Sequence, residues 1–274
     1  MKILSYNVFG KKESKDKIPD WDIRVTNLIR TINDILKDDD IKILCFQEVN
    51  ENNMDFITAI CNQNNFDIIE KFPMKTRTIY QYNIIGVRNN AGISIKNIYC
   101  LPHGEDTIYQ PVEKQIISYG MSDYRTTLFV KFEYDNLTYI IGDIHTDYKS
   151  TEGIIKGVAK SLDYMDNIKA DYKIIVGDMN MPDDSDILKQ ILGLKPNYSI
   201  VSNNGEFDKS YHAYGNRQGL NIDFAFVDNN IKSNIRYNLI KQSSILLEGS
   251  DHRPVILEVI NIWRIKLLTD LWKT

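Results

Sequence analysis

The chain has 274 residues, 43% of them hydrophobic and 26% charged, with a formal net charge of −4. That is enough apolar residue for one large domain with a sizeable core, and the acidic balance excludes a chain coated in cations for general nucleic-acid binding. The three cysteines, without CxxC spacing, argue against a disulfide framework or structural zinc and for a reducing interior.

In chain order, residues 2–9 read as a short apolar strand whose polar end is Asn7. It is too short for a signal-peptide core, and no stretch approaches the ~20 apolar residues that span a bilayer. An intracellular monomer, cytoplasmic or nuclear and without membrane insertion, is the expectation. In "VTNLIRTINDIL" the residues Val25, Leu28, Ile29, Ile32, Ile35 and Leu36 recur at helical spacing. "IKILCFQEV" is a buried strand ending in Gln47 and Glu48, and a second amphipathic helix is expected over 53–62. Strands dominate from 66 to 143: "FDIIEKF", "YNIIGVR", "AGISIKNIYCL", "RTTLFVKFEY" and "LTYIIGDIH", with Asp135-Asn136 as the hairpin turn before the last. Helical spacing returns over 151–169, followed by the strand "YKIIVGD", a short helix "SDILKQIL", and the strands "NIDFAFV", "IRYNLIK" and "RPVILEV". The tail "NIWRIKLLTDLWKT" carries Trp263, Leu267, Leu268, Leu271 and Trp272 at helical spacing, so 262–274 is expected to be a terminal helix packed on the domain. No linker separates the two strand-rich halves. Residues 1–274 therefore read as one α/β domain of two packed sheets with helices outside.

The polar residues at the strand ends are the informative ones: Asn7, Glu48, His145, Asp178 with Asn180, Asp223, and Asp251 with His252. Any one of them is explained by a turn. The whole set, drawn only from Asp, Glu, Asn and His, is not, because ordinary turns would supply Gly, Ser, Lys and Pro as often.

The motifs "SYNV", "FQEV", "DIHT", "GDMN", "NIDF" and "SDHRPV", in that order over residues 5–255, resemble the endonuclease/exonuclease/phosphatase family of DNase I-like enzymes. The resemblance implies a four-layer α-β-β-α sandwich of two mixed sheets and a Mg²⁺-dependent phosphoesterase, with Mn²⁺ able to substitute. It assigns Glu48, Asn7 and Asp251 to the metal and Asp178 to the attacking water. His252, held by Asp223, is the essential histidine, and His145 is a second one on the phosphate. Asn180 binds a phosphate oxygen, and Arg125 pairs either a phosphate or only a neighbouring carboxylate. The types suit the reaction, since an anionic phosphodiester repels hydroxide and needs a cation and a positioned water.

The chain departs from the apurinic-site and tyrosyl-DNA branches, which carry Asp or Asn where it has Phe9. The Glu that pairs with the first histidine in DNase I-like enzymes corresponds here to Gln81. Two loops interleave cations with aromatics, "PMKTRTIYQYN" with Arg77, Tyr80 and Tyr82, and "SYHAYGNRQG" with Tyr214. That composition suits backbone contact and base stacking, so nucleic acid is the expected substrate. The alternatives are an inositol-phosphate or sphingomyelin-type phosphoesterase, or an inactive binding member of the family. His103 and His212 read as turn and loop histidines.

Overall fold

The structure, a computed structural model, describes residues 1–9, 18–76, 79–203, 208–215, 218–242, 244 and 248–260. Arg77 and the terminal helix expected over 262–274 lie outside them. In chain order the elements are β1 (Lys2–Asn7), α1 (Trp21–Leu36), β2 (Ile41–Asn50), α2 (Met54–Gln63), β3 (Phe66–Lys75), β4 (Tyr80–Arg88), β5 (Ser94–Pro102), β6 (Thr126–Tyr134), β7 (Leu137–His145), α3 (Thr151–Asp166), β8 (Tyr172–Asp178), α4 (Asp186–Leu194), β9 (Tyr198–Val201), β10 (Asp223–Asp228), β11 (Ile235–Leu239) and β12 (Val255–Val259).

Two six-stranded mixed sheets form, ordered β11-β12-β1-β2-β4-β3 and β5-β6-β7-β8-β10-β9. Alternation along the central strands explains the layering. Ile3, Ile43, Cys45 and Ile85 point between the sheets, where they meet Val130, Ile141, Ile174, Val176 and Ala225. Their neighbours Leu4, Leu44, Phe46 and Ile84 point outward onto Leu28, Ile32 and Leu36 of α1 and Ile57 and Ile60 of α2. Across the molecule Ile140, Ile175 and Phe226 meet Ile154, Val158 and Leu162 of α3 and Leu188 and Ile191 of α4. The result is the α-β-β-α order.

Local chemistry sets the boundaries. Ser150 and Ser185 cap α3 and α4 by accepting from Gly153 N–H (3.0 Å) and Leu188 N–H (3.2 Å). Asp135 and Asn136, both at positive φ, close the β6–β7 hairpin. The short β9, which pairs with β10, carries no sequence signal strong enough to be expected. Helix α3 ends at Asp166, three residues before the limit its spacing suggested.

Both sheets bring strand ends to one rim. Strands β1 and β2 run parallel with Asn7 beside Gln47, and β7 and β8 run parallel with His145 beside Asp178. Asp178 lies opposite Asp223 of antiparallel β10. Among the described residues no helix is long and apolar enough to cross a membrane.

Candidate active site

Two local distortions turn side chains into the space between these strand ends. Strand β2 bulges between Phe46 and Val49, and Glu48 there has φ 56°. Strand β8 reaches Asp178 through Gly177, whose φ of 148° and 2.0 Å separation between a would-be Cβ and Ile144 O leave room only for hydrogen.

Asp178 is the hub. Its Oδ2 accepts from Asn7 Nδ2 (2.9 Å) and lies 3.6 Å from His145 Nε2 and 3.7 Å from His252 Nε2. Its Oδ1 accepts from Asn180 N–H (2.9 Å). Asn7 Nδ2 also donates to Glu48 Oε1 (3.3 Å), and His145 Nε2 lies 4.0 Å from that oxygen. His252 Nδ1 is 2.9 Å from Asp223 Oδ2, and its Nε2 is 3.9 Å from Asp251 Oδ1. The structure thus gathers Asn7, Glu48, His145, Asp178, Asp223, Asp251 and His252 into one buried cluster, with the half-buried Asn180 joined to it through its N–H.

Three expected roles change with the geometry. Asn7 turns its amide nitrogen to the carboxylates, while its Oδ1 accepts from Phe9 N–H (2.9 Å). It instead holds Glu48 and Asp178 together. Arg125 does not reach the open side of the cluster. Its Nη1 contacts Gln81 Oε1 (3.2 Å) and His145 Nδ1 (2.9 Å), and its Nη2 donates to Asp123 Oδ2 (3.2 Å). Tyr214 is buried, its hydroxyl on Arg24 and its ring against Phe9 and His212, so it has no face for stacking a base. Tyr80 is exposed and Tyr82 half-buried at the start of β4, the strand beside β2.

Other contributors were not among the candidate site residues. Ser210 Oγ accepts from Ile222 and Asp223 N–H (3.0 Å each), fixing the start of β10. Ser250 Oγ donates to Asn7 O (2.6 Å) and accepts from His252 N–H (3.2 Å), tying "SDH" to β1. Gln47 Nε2 donates to Asp143 Oδ1 (2.6 Å) between the sheets, where burial holds the Asp143 carboxyl well above the usual range. Both residues lie within the motifs "FQEV" and "DIHT", but nothing in the spacing pairs them. His103 is a core residue, pushed down to about 3 by burial, with Nε2 on Thr127. His212, also held near 3 by burial, accepts from Tyr214 N–H.

The electrostatics divide the labour. Burial raises Asp178 to about 7, Asp223 adds to the rise, and His252 and the Asn180 and Asn7 donors oppose it. Burial alone would lower His252, but Asp223 and Asp178 outweigh it and raise the imidazole to about 10. His252 is therefore a cation at neutral pH beside a carboxylate poised near it.

The donor set fits a hard divalent cation. Carboxylate oxygens of Glu48 and Asp178 lie within 4.8 Å of one another, as do those of Asp178 and Asp223, while the cationic His252 has no lone pair to offer a metal. Four carboxylates crowd one buried site with His252 as their cation, an excess of negative charge that a bound cation relieves.

The family model described as Endonuclease/Exonuclease/phosphatase family matches residues 4–252. No curated protein matches the sequence. Among solved structures, the endonuclease/exonuclease/phosphatase from Bacteroides vulgatus is 16% identical with a TM-score of 0.75, covering 94% of this chain and 98% of its own. The mannosyl-6-phosphatase of Bacteroides thetaiotaomicron is 14% identical, with a TM-score of 0.69 and coverage of 95% and 100%. ANGEL2, a 2′,3′-cyclic phosphatase seen with adenosine-2′,3′-vanadate, is 12% identical, with a TM-score of 0.64 and coverage of 93% and 94%. At these identities the likeness is one of fold.

Proposed function

The chain belongs to the endonuclease/exonuclease/phosphatase family of phosphoester hydrolases, and on that premise we propose that it cleaves a phosphodiester in nucleic acid with Mg²⁺ as cofactor and Mn²⁺ as a substitute. The observation that carries the catalytic part is the position of Asp178, a buried carboxylate flanked at 3.6 and 3.7 Å by the Nε2 atoms of two histidines.

In this reading Glu48, with Asp251 contributing, would hold the cation, which would supply charge neutralisation on the phosphate. Asp178 takes a proton from the water whose oxygen forms the new P–O bond as the ester bond breaks. His252, cationic and fixed through Nδ1 by Asp223, stabilises charge on the pentacovalent phosphorus or protonates the leaving oxygen. His145 and Asn180 contact a phosphate oxygen. Asn7 keeps the two carboxylates at working distance.

Tyr80 supports nucleic acid, since it stands exposed at the start of β4, one strand from Glu48, and offers a face for stacking. A lipid or inositol phosphate is the second reading. It is favoured by exposed Ile108, Ile116 and Ile117 in a segment joined to the His145 loop through Ser122 N–H on Asp147 Oδ1 (2.8 Å).

A panel with Mg²⁺ tests the choice: single- and double-stranded DNA, RNA, 5′-tyrosyl DNA, inositol phosphates and sphingomyelin. Turnover of a polynucleotide is expected, with KM raised by replacing Tyr80 and Tyr82 while a small chromogenic phosphodiester is still cleaved. Activity on sphingomyelin alone reverses the assignment, and no turnover of any phosphoester rejects it.

A further inference from the structure

We propose that Arg125 is a positioning residue that selects the tautomer of His145, leaving its proton on Nε2 and aiming that N–H into the catalytic cluster. The functional half of this inference rests on the phosphoesterase reading above; the tautomer itself does not.

The argument starts from donor and acceptor inventories. A guanidinium has only N–H donors, and no titration in the working range changes that. Arg125 Nη1 lies 2.9 Å from His145 Nδ1, so Nδ1 must bring a lone pair. A neutral imidazole with a lone pair on Nδ1 carries its hydrogen on Nε2. That nitrogen faces Asp178 Oδ2 at 3.6 Å and Glu48 Oε1 at 4.0 Å, on the opposite edge of the ring from the arginine.

Arg125 is fixed from two further sides. Gln81 Oε1 accepts from the same Nη1, and Asp123 Oδ2 accepts from Nη2. Gln81 in turn reaches Glu48 Oε2 through its Nε2 at 3.4 Å. Arg125 Nε is buried without a hydrogen-bond partner, so keeping the cation here costs stability and an ordinary packing role does not explain it.

In DNase I-like enzymes a Glu partners the first histidine, and Gln81 stands at the corresponding position here. A carboxylate would accept from Nδ1 and put the hydrogen there. The arginine does the reverse. His145 then serves as a fixed neutral donor to a phosphate oxygen.

The test uses the full chain labelled with ¹⁵N-histidine. With four histidines, single His→Gln variants assign every resonance. Long-range ¹H–¹⁵N spectra distinguish a protonated from an unprotonated ring nitrogen. In the wild type, with and without Mg²⁺, His145 should show an unprotonated Nδ1 and a protonated Nε2. Arg125→Lys, still a pure donor, should keep that pattern, and Arg125→Gln, which offers an acceptor, should shift the proton toward Nδ1. In the folded Gln variant kcat on bis(p-nitrophenyl) phosphate should fall about 100-fold, the scale of a misplaced catalytic group, with KM nearly unchanged and Lys restoring part of the loss. A wild-type Nδ1–H, or an unchanged pattern in folded Arg125→Gln, overturns the proposal. If the Gln variant does not fold, the wild-type spectrum still decides the tautomer. If no phosphoester is turned over, the functional reading fails while the spectrum still decides.

Discussion

Replacing Asp223 by Asn should turn His252 from a permanent cation into a group that titrates near neutrality. The wild-type imidazole is raised to about 10 against the pull of burial, with Asp223 the strongest of the charges that raise it. Its Oδ2 lies 2.9 Å from Nδ1, which puts the charge centres about 4 Å apart, worth about 4 kcal/mol at an effective dielectric of 20. At about 1.4 kcal/mol per tenfold change in affinity for the proton, losing that charge lowers the midpoint by about three pH units. Asp178 at 3.7 Å and Asp251 at 3.9 Å remain, so the variant should titrate at about 7 or below. Two assays read this. The basic limb of kcat/KM on bis(p-nitrophenyl) phosphate should move down by about three pH units, and the His252 resonance in a ¹⁵N titration should move with it. The sign extends to stability. A histidine raised above its unfolded 6.5 contributes stability in full below that pH and loses it as pH climbs toward 10, so the wild-type melting temperature should fall across that window. Asp223→Asn should flatten that part of the curve. A basic limb or a His252 resonance that stays put in the folded variant would refute the claim that Asp223 sets the charge on His252.

Asp178→Asn and His252→Ala should each lower kcat about 100-fold or more with the fold intact by near-UV circular dichroism, since the proposed mechanism sets both on the reacting atoms; unchanged kcat in either removes that residue from the mechanism. EDTA should abolish activity and Mg²⁺ or Mn²⁺ restore it. Because Asp178 is raised to about 7 by burial and by Asp223, added Mg²⁺ should carry the acidic limb of the rate profile to lower pH, and a limb indifferent to Mg²⁺ concentration argues against a cation beside that carboxylate. Gly177→Ala should destabilise by about 1–3 kcal/mol or more, because the new methyl meets Ile144 O at 2.0 Å at φ 148°; a melting temperature within a degree of wild type would contradict the packing described at that turn.

Much of the layering was legible because it follows from period. Alternation in "IKILCF" and "YKIIVG" and the 3.6-residue spacing in α1 and α3 fix which faces meet, whatever the long-range contacts turn out to be. The strand ends were legible because polar residues there have no core to enter. What escaped notice is set by direction, which spacing does not encode. Arg125 at the head of β6 looked like a phosphate ligand by type, but its side chain runs behind His145 to Asp123. Tyr214 looked like a stacking platform, and the fold buries it on Arg24, a cation that also donates to the backbone carbonyls of Phe9 and Gly249 and lies over the Phe9 ring. Asn7 was legible as a site residue but not in its orientation, which depends on Phe9 N–H occupying its oxygen.

That last bond belongs to a local pattern that recurs at three places in the described residues. Asn7 accepts from Phe9 N–H, Asp178 from Asn180 N–H, and His212 from Tyr214 N–H. In each pair the second residue sits at positive φ: 43°, 46° and 51°. Side chains accept from the N–H two residues on at Asp38 and Asp228 as well, yet Asp40 and Asn230 keep ordinary backbone angles. The left-handed conformation is therefore not a by-product of the hydrogen bond. It costs a non-glycine residue about 1–2 kcal/mol, and the bond returns about 1 kcal/mol, so the turn by itself adds nothing to stability. Its effect is on the first member of each pair, whose polar atom is tied to its own backbone and whose side chain loses rotamers. For Asp178 that leaves Oδ1 on Asn180 and commits Oδ2 to the space shared by Asn7, His145 and His252. The two-residue spacing of Asp178 and Asn180 thus has a local mechanical cause, the aiming of one carboxylate oxygen, before any substrate is considered.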